Sequence, residues 1–285
     1  MSQDLEQLAR WRTVGARHSQ EVIKLAQRAL KGGRLGEQEW AVREQLAIAA
    51  MDMGRIKLAD EQLSVLEKQF SGSPRVALLL GLRAEAKGET DKAKKMYEDL
   101  LAKDETNVSA HQRLIALHLP TPTSAIPLLL TYLDTFYTDP AGWSLLAELY
   151  ADQGLYAQSL TALGHVMVIQ SWDSGAVCRA GETAYTLGDY QLALKYYLRA
   201  VEMQTDPDDR DSAKKNTRAW WGIKLSIARL MDGGSGESAV PPEHATTPAQ
   251  LKQLDELTTE RLLAAGGAGL TARRAVLAPV SDIKR

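Results

Sequence analysis

The amino-acid sequence predicts an all-α protein, a right-handed α-α superhelix in which helical hairpins stack as a solenoid closed by capping helices. Three observations carry this. A pattern of small and large residues returns about every 34 positions. Within each copy, apolar residues recur at i, i+3, i+4 and i+7, the mark of amphipathic helices. A glycine stands between the two helical stretches of most copies, where a tight turn needs a positive φ.

The period is read most directly from "WSLLAELYADQGLY" (143–156). Moved by 34 residues, Trp143, Leu146, Ala147, Tyr150, Gly154 and Tyr156 fall on Val177, Ala180, Gly181, Ala184, Gly188 and Tyr190. The segment "GLRAEAKGETDKAKKMYEDLL" (81–101) repeats the pattern with Gly81, Gly88, Ala93, Tyr97 and Leu100, and a further copy runs through Leu46, Ala47, Gly54, Ala59 and Leu63. A degenerate copy has Leu114, Ile115, Ala125 and Leu129, with a shortened turn at "PTPT" (120–123). Unit starts lie near 43, 77, 111, 143 and 177. In each unit a small residue of the first helix, helix A (Ala47, Gly81, Ala147, Gly181), lets the neighbouring helix approach. A small residue of helix B (Ala59, Ala93, Ala125, Ser159, Ala193) does so from the other side. Leu63, Tyr97, Leu129, Leu163 and Tyr197 fill the space between. One hairpin cannot bury its apolar face alone, so the units must stack.

These spacings resemble the tetratricopeptide repeat. The closing proline of that family is mostly absent, with Ser71, Glu105, Ser171 and Thr205 in its place. Pro74, Pro140 and Pro207 follow a few residues later and separate helices in a similar way.

The solenoid is predicted over 37–231, between distinct ends. Residues 1–36 read as N-terminal capping helices, a further helix pair or one long helix, ended by "KGGRLG" (31–36). After the fifth unit, "TDPDDRDSAKK" (205–215) is a charged insertion, and "TRAWWGIKLSIARL" (217–230) restores a helix A with Gly222 at the small position. "DGGSGESAVPPEHATTPA" (232–249) has almost nothing to bury and is expected to be a flexible linker. Residues 250–285 are expected to form a C-terminal capping helix, with leucines at 251, 254, 257, 262 and 263, and an irregular tail.

Composition narrows the function. The chain is 45% hydrophobic and 25% charged with a formal charge of −2, which gives no pull toward nucleic acid or an anionic membrane. A single cysteine, Cys178, excludes an internal disulfide and a multi-cysteine zinc site and fits a reducing compartment. The N-terminus lacks the apolar core of a signal peptide, and no run approaches the roughly 18 apolar residues that a membrane helix needs. A soluble, cytosolic chain with no direct membrane span is therefore expected.

No chemistry-bearing constellation emerges. His111 and His118 share a helix face without a carboxylate or cysteine at ligand spacing. Cys178 sits on a helix A without a catalytic signature, and the pair Asp208 and Asp209 lies in a charged loop. Phosphate-loop, nucleophile-elbow and zinc-protease motifs are missing. The expectation is no enzyme, with no catalytic residue, cofactor or metal.

That leaves a binding surface. In such a solenoid the helices A line one face, at the second, fifth or sixth, ninth and twelfth positions of each unit. The candidate partner groove is Ile48, Met51, Leu78, Leu82, Glu85, Glu148, Glu182 and Tyr185, apolar toward the N-terminal half and mildly acidic toward the C-terminal half. Either neighbouring helices cover the apolar members, or a partner's peptide or helix lies on them. Repeat domains that hold acidic chaperone tails use a clamp of lysine with asparagine or arginine at helix A positions. The corresponding positions here are Ile48, Leu82, Ala116, Glu148 and Glu182, and the two acids disfavour such a tail.

A more specific resemblance covers about residues 10–230. "EWAVREQLAIAAMDMGRIKLADEQLSVLEKQFSGSPRV" (39–76), "LAKDETNVSAHQRLIAL" (101–117), "TYLDTFYTDPAGWSLLAELY" (131–150) and "LGDYQLALKYYLRAVEM" (187–203) follow one another as in subunit two of the endoplasmic reticulum membrane protein complex. The resemblance implies a cytosolic scaffold of a membrane insertase for tail-anchored and multi-pass proteins, peripherally attached to the reticulum. It implies partners among the membrane subunits, notably subunits three and five, and a soluble subunit eight or nine. The alternative is a free adaptor that binds client or chaperone peptides in its groove.

Overall fold

The computed structural model describes residues 3–33, 35–204, 216–234, 236–267 and 269–277. Among these residues there are fifteen α-helices, one 3-10 turn and no strands. The chain divides into two compact units, Met1–Leu128 and Leu129–Arg285, with the division inside a helix, Pro122–Thr135. The charged insertion 205–215, with Thr205 and Pro207, lies outside the described residues.

The first unit contains α1 (Gln3–Val14), α2 (Ser19–Gly32), α3 (Gln38–Asp52), α4 (Ile56–Gln69), α5 (Pro74–Ala86), α6 (Thr90–Lys103), α7 (Val108–His118) and the start of α8 (Pro122–Thr135). Residues 3–32 are a helix pair, not one long helix. Leu8, Val22, Ile23 and Ala26 of that pair bury against Val42, Leu46 and Ala49 of α3, which covers the open face of the first hairpin. Successive helices pack on one another, and α3 also touches α5 across the intervening α4. Helix α3 thus rests on its own partner and on the next helix A. The core is a chain of local clusters, Ala47 with Leu63, Leu66, Val76 and Leu79, then Ala84 with Ala93, Tyr97, Leu100 and Leu114.

The second unit contains the rest of α8, then α9 (Pro140–Asp152), α10 (Tyr156–Ile169), α11 (Ser174–Leu187), α12 (Tyr190–Gln204), α13 (Thr217–Met231), α14 (Pro248–Ala264) and α15 (Leu270–Leu277). Helix α11 touches both α12 and α13, repeating the arrangement of α3, α4 and α5. Leu251 and Leu262 of α14 join the cluster built on Leu194, Tyr197, Ile223 and Ile227. Lys224 on α13 donates to Asp255 Oδ1 (2.6 Å) and Thr259 Oγ1 (2.8 Å), which fixes α14 alongside. Where an irregular tail was expected, α15 forms eight residues of helix.

The local signals explain the boundaries. Pro74, Pro140 and Pro248 sit in the first turns of their helices, where the missing N–H costs nothing. Asn107, Asp139 and Asp173 cap α7, α9 and α11 by accepting backbone N–H groups with their side chains. Gly188 ends α11 at φ 94°, where its N–H reaches back to the Ala184 and Tyr185 carbonyls. The small residues of helices B are sealed in: Ala59, Ala93, Ala125 and Ala193 are fully buried, and the Ser159 hydroxyl donates to the Ala147 carbonyl at 2.8 Å.

Tyrosines at the filling position press on glycines. A Cβ added to Gly81 would lie 2.4 Å from Tyr97 Cε1. Tyr197 is held between two such positions: a Cβ on Gly181 would lie 2.9 Å from its ring and one on Gly222 2.4 Å. The atoms in the way belong to rigid rings, so an alanine cannot be absorbed by a flexible neighbour.

The segment expected to be a flexible linker departs from that expectation. Buried Asp189, at the start of α12, accepts the Leu192 N–H (2.9 Å), the Ser238 hydroxyl (2.6 Å) and the Ala239 N–H (2.7 Å). The Gln191 side-chain carbonyl accepts the Thr246 N–H at 3.1 Å. A short 3-10 turn, Pro242–His244, lies between these two tethers. Residues 238–246 therefore form a strap held by hydrogen bonds where apolar residues are scarce. Its end becomes the capping box of α14, in which the Thr247 hydroxyl and Gln250 satisfy each other's backbone N–H groups.

Two outcomes follow. Gly222→Ala should destabilise the protein by about 1–3 kcal/mol through overpacking against Tyr197, and Tyr197→Leu in the same chain should recover part of the loss in thermal or denaturant unfolding. Asp189→Ala should cost about 1–3 kcal/mol and speed hydrogen exchange at Ala239 far more than at buried α11 amides; equal protection at Ala239 would show that the strap does not depend on this carboxylate.

Candidate partner-binding surface

The helix A positions of the first unit converge as the spacing requires. Ile48, Met51 and Asp52 of α3 and Leu82, Glu85 and Ala86 of α5 line one cavity of about 280 Å³, completed by Arg113 of α7 and by Arg17 between α1 and α2. Neighbours three and four apart on a helix share a face, so each helix offers two apolar side chains or one with an adjacent carboxylate. Met51 is buried, Ile48 and Leu82 are half-buried, and Ala86 is exposed. The floor is apolar and solvent reaches it.

Its rim is polar and already organised. Glu85 accepts the Tyr97 hydroxyl (2.5 Å) and the Arg113 Nε–H (3.0 Å), and a second hydrogen bond from Arg113 makes the pair bidentate. Asp52 accepts the Ser19 hydroxyl at 2.7 Å and faces Arg17 at 3.5 Å. Burial, then the Glu85 carboxylate, pushes the Tyr97 phenol well above its ordinary value, so it stays a hydrogen-bond donor across the physiological range.

The other candidates fall elsewhere. Leu78 does not line this cavity; it is half-buried against the cluster of Tyr97, Leu100 and Leu114 and serves the core. In the second unit Glu148 is exposed and paired with Arg179 at 3.3 Å, while another nitrogen of that arginine donates to the Ser144 hydroxyl at 2.6 Å. Glu182 receives two hydrogen bonds from Arg218, each 2.5 Å. Tyr185 packs half-buried on the α11–α13 core, edge-on to Tyr190, and its hydroxyl accepts from Arg229 at 3.2 Å.

The mildly acidic half-groove is thus corrected. In both units an acid on one helix A meets an arginine on the next: Glu44 with Arg75, Glu85 with Arg113, Glu148 with Arg179 and Glu182 with Arg218. The acids are charge-balanced, so their repulsion of an acidic tail loses its force. The arginines were missed because each lies 28 to 36 residues from its acid. The available signal was positional: Arg113 and Arg179 are both the third residue of their units.

The histidines and the cysteine have structural surroundings. His111 Nε2 lies 2.9 Å from the Glu105 carbonyl and His118 Nδ1 3.0 Å from the Ser124 hydroxyl. Cys178 is buried, and burial followed by the Glu182 charge pushes its thiol up. Among the described residues no group of three or more His, Cys, Asp or Glu could hold a metal ion, and no helix is long and apolar enough to cross a membrane.

Comparison with known proteins agrees with this geometry. The tetratricopeptide repeat model matches residues 174–207, the fifth unit. The ER membrane protein complex subunit 2-A of Xenopus laevis is 32% identical over 232 residues, which is 79% of this chain and 75% of that protein. Subunit 2 of Xenopus tropicalis matches equally, and the TPR repeat protein oca3 of Schizosaccharomyces pombe is 26% identical over 75% of this chain and 76% of its own. A crystal structure of the C-terminal part of a TPR repeat-containing protein from Cytophaga hutchinsonii superposes with a TM-score of 0.63 at 11% identity, covering 94% of this chain and 98% of that one. The chain belongs to the family of ER membrane protein complex subunit 2, and its fold is the tetratricopeptide-like helical solenoid, a protein-interaction scaffold.

The buried phenols make this scaffold sensitive to alkali. The folded-state values of Tyr97 and Tyr197 lie above an unfolded value near 10.0. The native state therefore holds these protons more tightly, and the stability they confer is whole below about pH 10 and lost as pH rises through the folded values. Unfolding free energy should fall above about pH 10, and Tyr97→Phe with Tyr197→Phe should flatten that fall while leaving neutral-pH stability lower by about 1 kcal/mol or more from the lost Glu85 bond. An unchanged alkaline slope in the double variant would contradict the assignment.

Proposed function

We propose that the chain is a non-catalytic scaffold subunit on the cytosolic side of an ER membrane protein complex, attached to the membrane peripherally through its partner subunits. The observation that carries this is the family relationship, at 32% identity over 79% of the chain. In this role it holds cytosolic segments of membrane subunits, notably subunits three and five, and a soluble subunit eight or nine, and so supports insertion of tail-anchored and multi-pass proteins. The helix A face of the first unit supports the reading, because Ile48, Met51 and Leu82 offer an apolar seat between preset ion pairs. A partner helix could insert one or two apolar side chains there without stranding a buried charge.

A free adaptor that binds client or chaperone peptides would use the same seat. The two differ in stoichiometry and persistence. Tagged chain extracted in mild detergent should elute with membrane subunits in fixed ratio; elution as a monomer without membrane proteins would leave the adaptor. Leu78→Asp is unsuitable for probing the seat, since Leu78 belongs to the core. Ala86→Arg, at an exposed lining position, should fill the cavity at little cost to folding and lower recovery of a partner at least severalfold. Full recovery with this variant would remove the cavity from the interface.

A further inference from the structure

A second cavity opens on a different edge of the first unit, where the start of α3, the end of α4 and the start of α5 meet. Its volume is about 370 Å³, in the lower range of ligand-binding pockets. Leu66, Val76 and Leu79 form the floor and are 3%, 6% and 3% exposed. Trp40 and Phe70 stand over it, ring centroids 5.4 Å apart and planes at 85°, with Phe70 at 39% exposure. This cavity shares no residue with the one around Met51.

The second unit carries a different aromatic pairing at the start of a helix A. There Trp143, in the first turn of α9, stacks flat on His165 near the end of α10, with centroids 3.9 Å apart and planes 9° apart, and its indole N–H donates to the Tyr137 carbonyl. Trp40 occupies the first turn of α3, but its aromatic neighbour meets it edge-on. The two perpendicular rings and the apolar floor line the same cavity.

Polar groups at the mouth define what would enter. Glu44 is taken by Arg75 at 2.9 Å. Glu37 has no ion pair among the described residues and leaves one uncompensated carboxylate beside the aromatic walls. The Ser73 hydroxyl, at the start of α5, makes no capping hydrogen bond and is available to a backbone group. An apolar floor, a free hydroxyl and a free carboxylate suit an amphipathic peptide, whereas the carboxylate repels anionic lipid headgroups.

We propose that the cleft between Trp40, Phe70 and Glu37 is a docking pocket for a protein segment presenting a large apolar side chain beside a lysine or arginine. The apolar side chain fills the floor, the cation meets Glu37, and Ser73 bonds the peptide backbone. The pocket works on the isolated chain and does not depend on membership of a membrane complex.

The test uses the full-length chain and methyl-detected NMR, titrated with the peptide acetyl-Ala-Ala-Leu-Lys-Ala-Ala-amide and with two controls, one with glutamate for lysine and one with alanine for leucine. The lysine peptide should shift the Leu66, Val76 and Leu79 methyl signals saturably. The glutamate peptide should bind about two- to fivefold more weakly, as for an exposed ion pair, and the alanine control should leave those methyls in place. Glu37→Gln should remove the difference between the lysine and glutamate peptides, and Ala41→Leu should block both of these while the thermal transition is kept. Unmoved methyls at millimolar peptide, or equal affinity of the lysine and glutamate peptides for the wild-type chain, would overturn the proposal. Since Glu37→Gln alters no packed side chain, a folding defect in Ala41→Leu would not remove the test.

Discussion

A tyrosine ring pressed against a helix at a position that carries no Cβ sets the spacing on which much of this protein depends. Tyr97 against Gly81, and Tyr197 between Gly181 and Gly222, bring a helix B close enough to the helices A for their apolar faces to share one core. The contact is short range, and it recurs in the second and fifth repeats. It also bears on the surface. From within the core the buried Tyr97 hydroxyl donates to Glu85, which lines the α3–α5 cavity and in turn holds Arg113 on α7. Core packing and the polar rim are thus one arrangement, because the ring that fixes the distance also supplies the donor that orients the carboxylate.

The arginine pairs follow from the same stacking. Once one helix A lies beside the next, an acid on the first comes within reach of an arginine on the second, and in both units that is how the charges are used. Most of these pairs are partly exposed and each contributes little to stability. Their larger effect is on the surface itself. Helices A that would present bare carboxylates present neutralised pairs around apolar side chains, so an incoming helix need not desolvate an unpaired charge. Glu37 stands apart, since the pairing that covers Glu44 does not reach it.

The fold was legible in the sequence because its determinants are local and periodic. Small residues at Gly81, Gly181 and Ala93, large ones at Tyr97 and Tyr197, and turn glycines such as Gly188 all act within one unit or against the next, and a period of about 34 residues exposes them. The candidate surface was legible only in part. Helical spacing placed Ile48, Met51, Leu82 and Glu85 together, and the cavity contains all four. It could not separate them from Leu78, because whether a helix A position faces outward or into the next hairpin depends on how the helix is rotated within the stack. The arginines escaped for a similar reason, their partners being set by stacking between units.

The strap over α12 shows why composition misleads at such a place. Glycine, serine and proline between 232 and 249 signal a segment with little to bury, and from that the expectation of a free linker follows. A segment can be ordered by other means when a preformed set of acceptors waits for it. Asp189 is such an acceptor: it stands at a helix start, already fixed by the Leu192 N–H, and buried enough that leaving its other lone pairs empty would be costly. Two donors from the strap, Ser238 and Ala239, satisfy it. The aspartate following the turn glycine is therefore both the start of the last hairpin's second helix and the anchor for the chain that returns to cap it. This lets α14 join the core without a long apolar connection: the strap reaches it through polar bonds, and the apolar burial begins again only at Leu251.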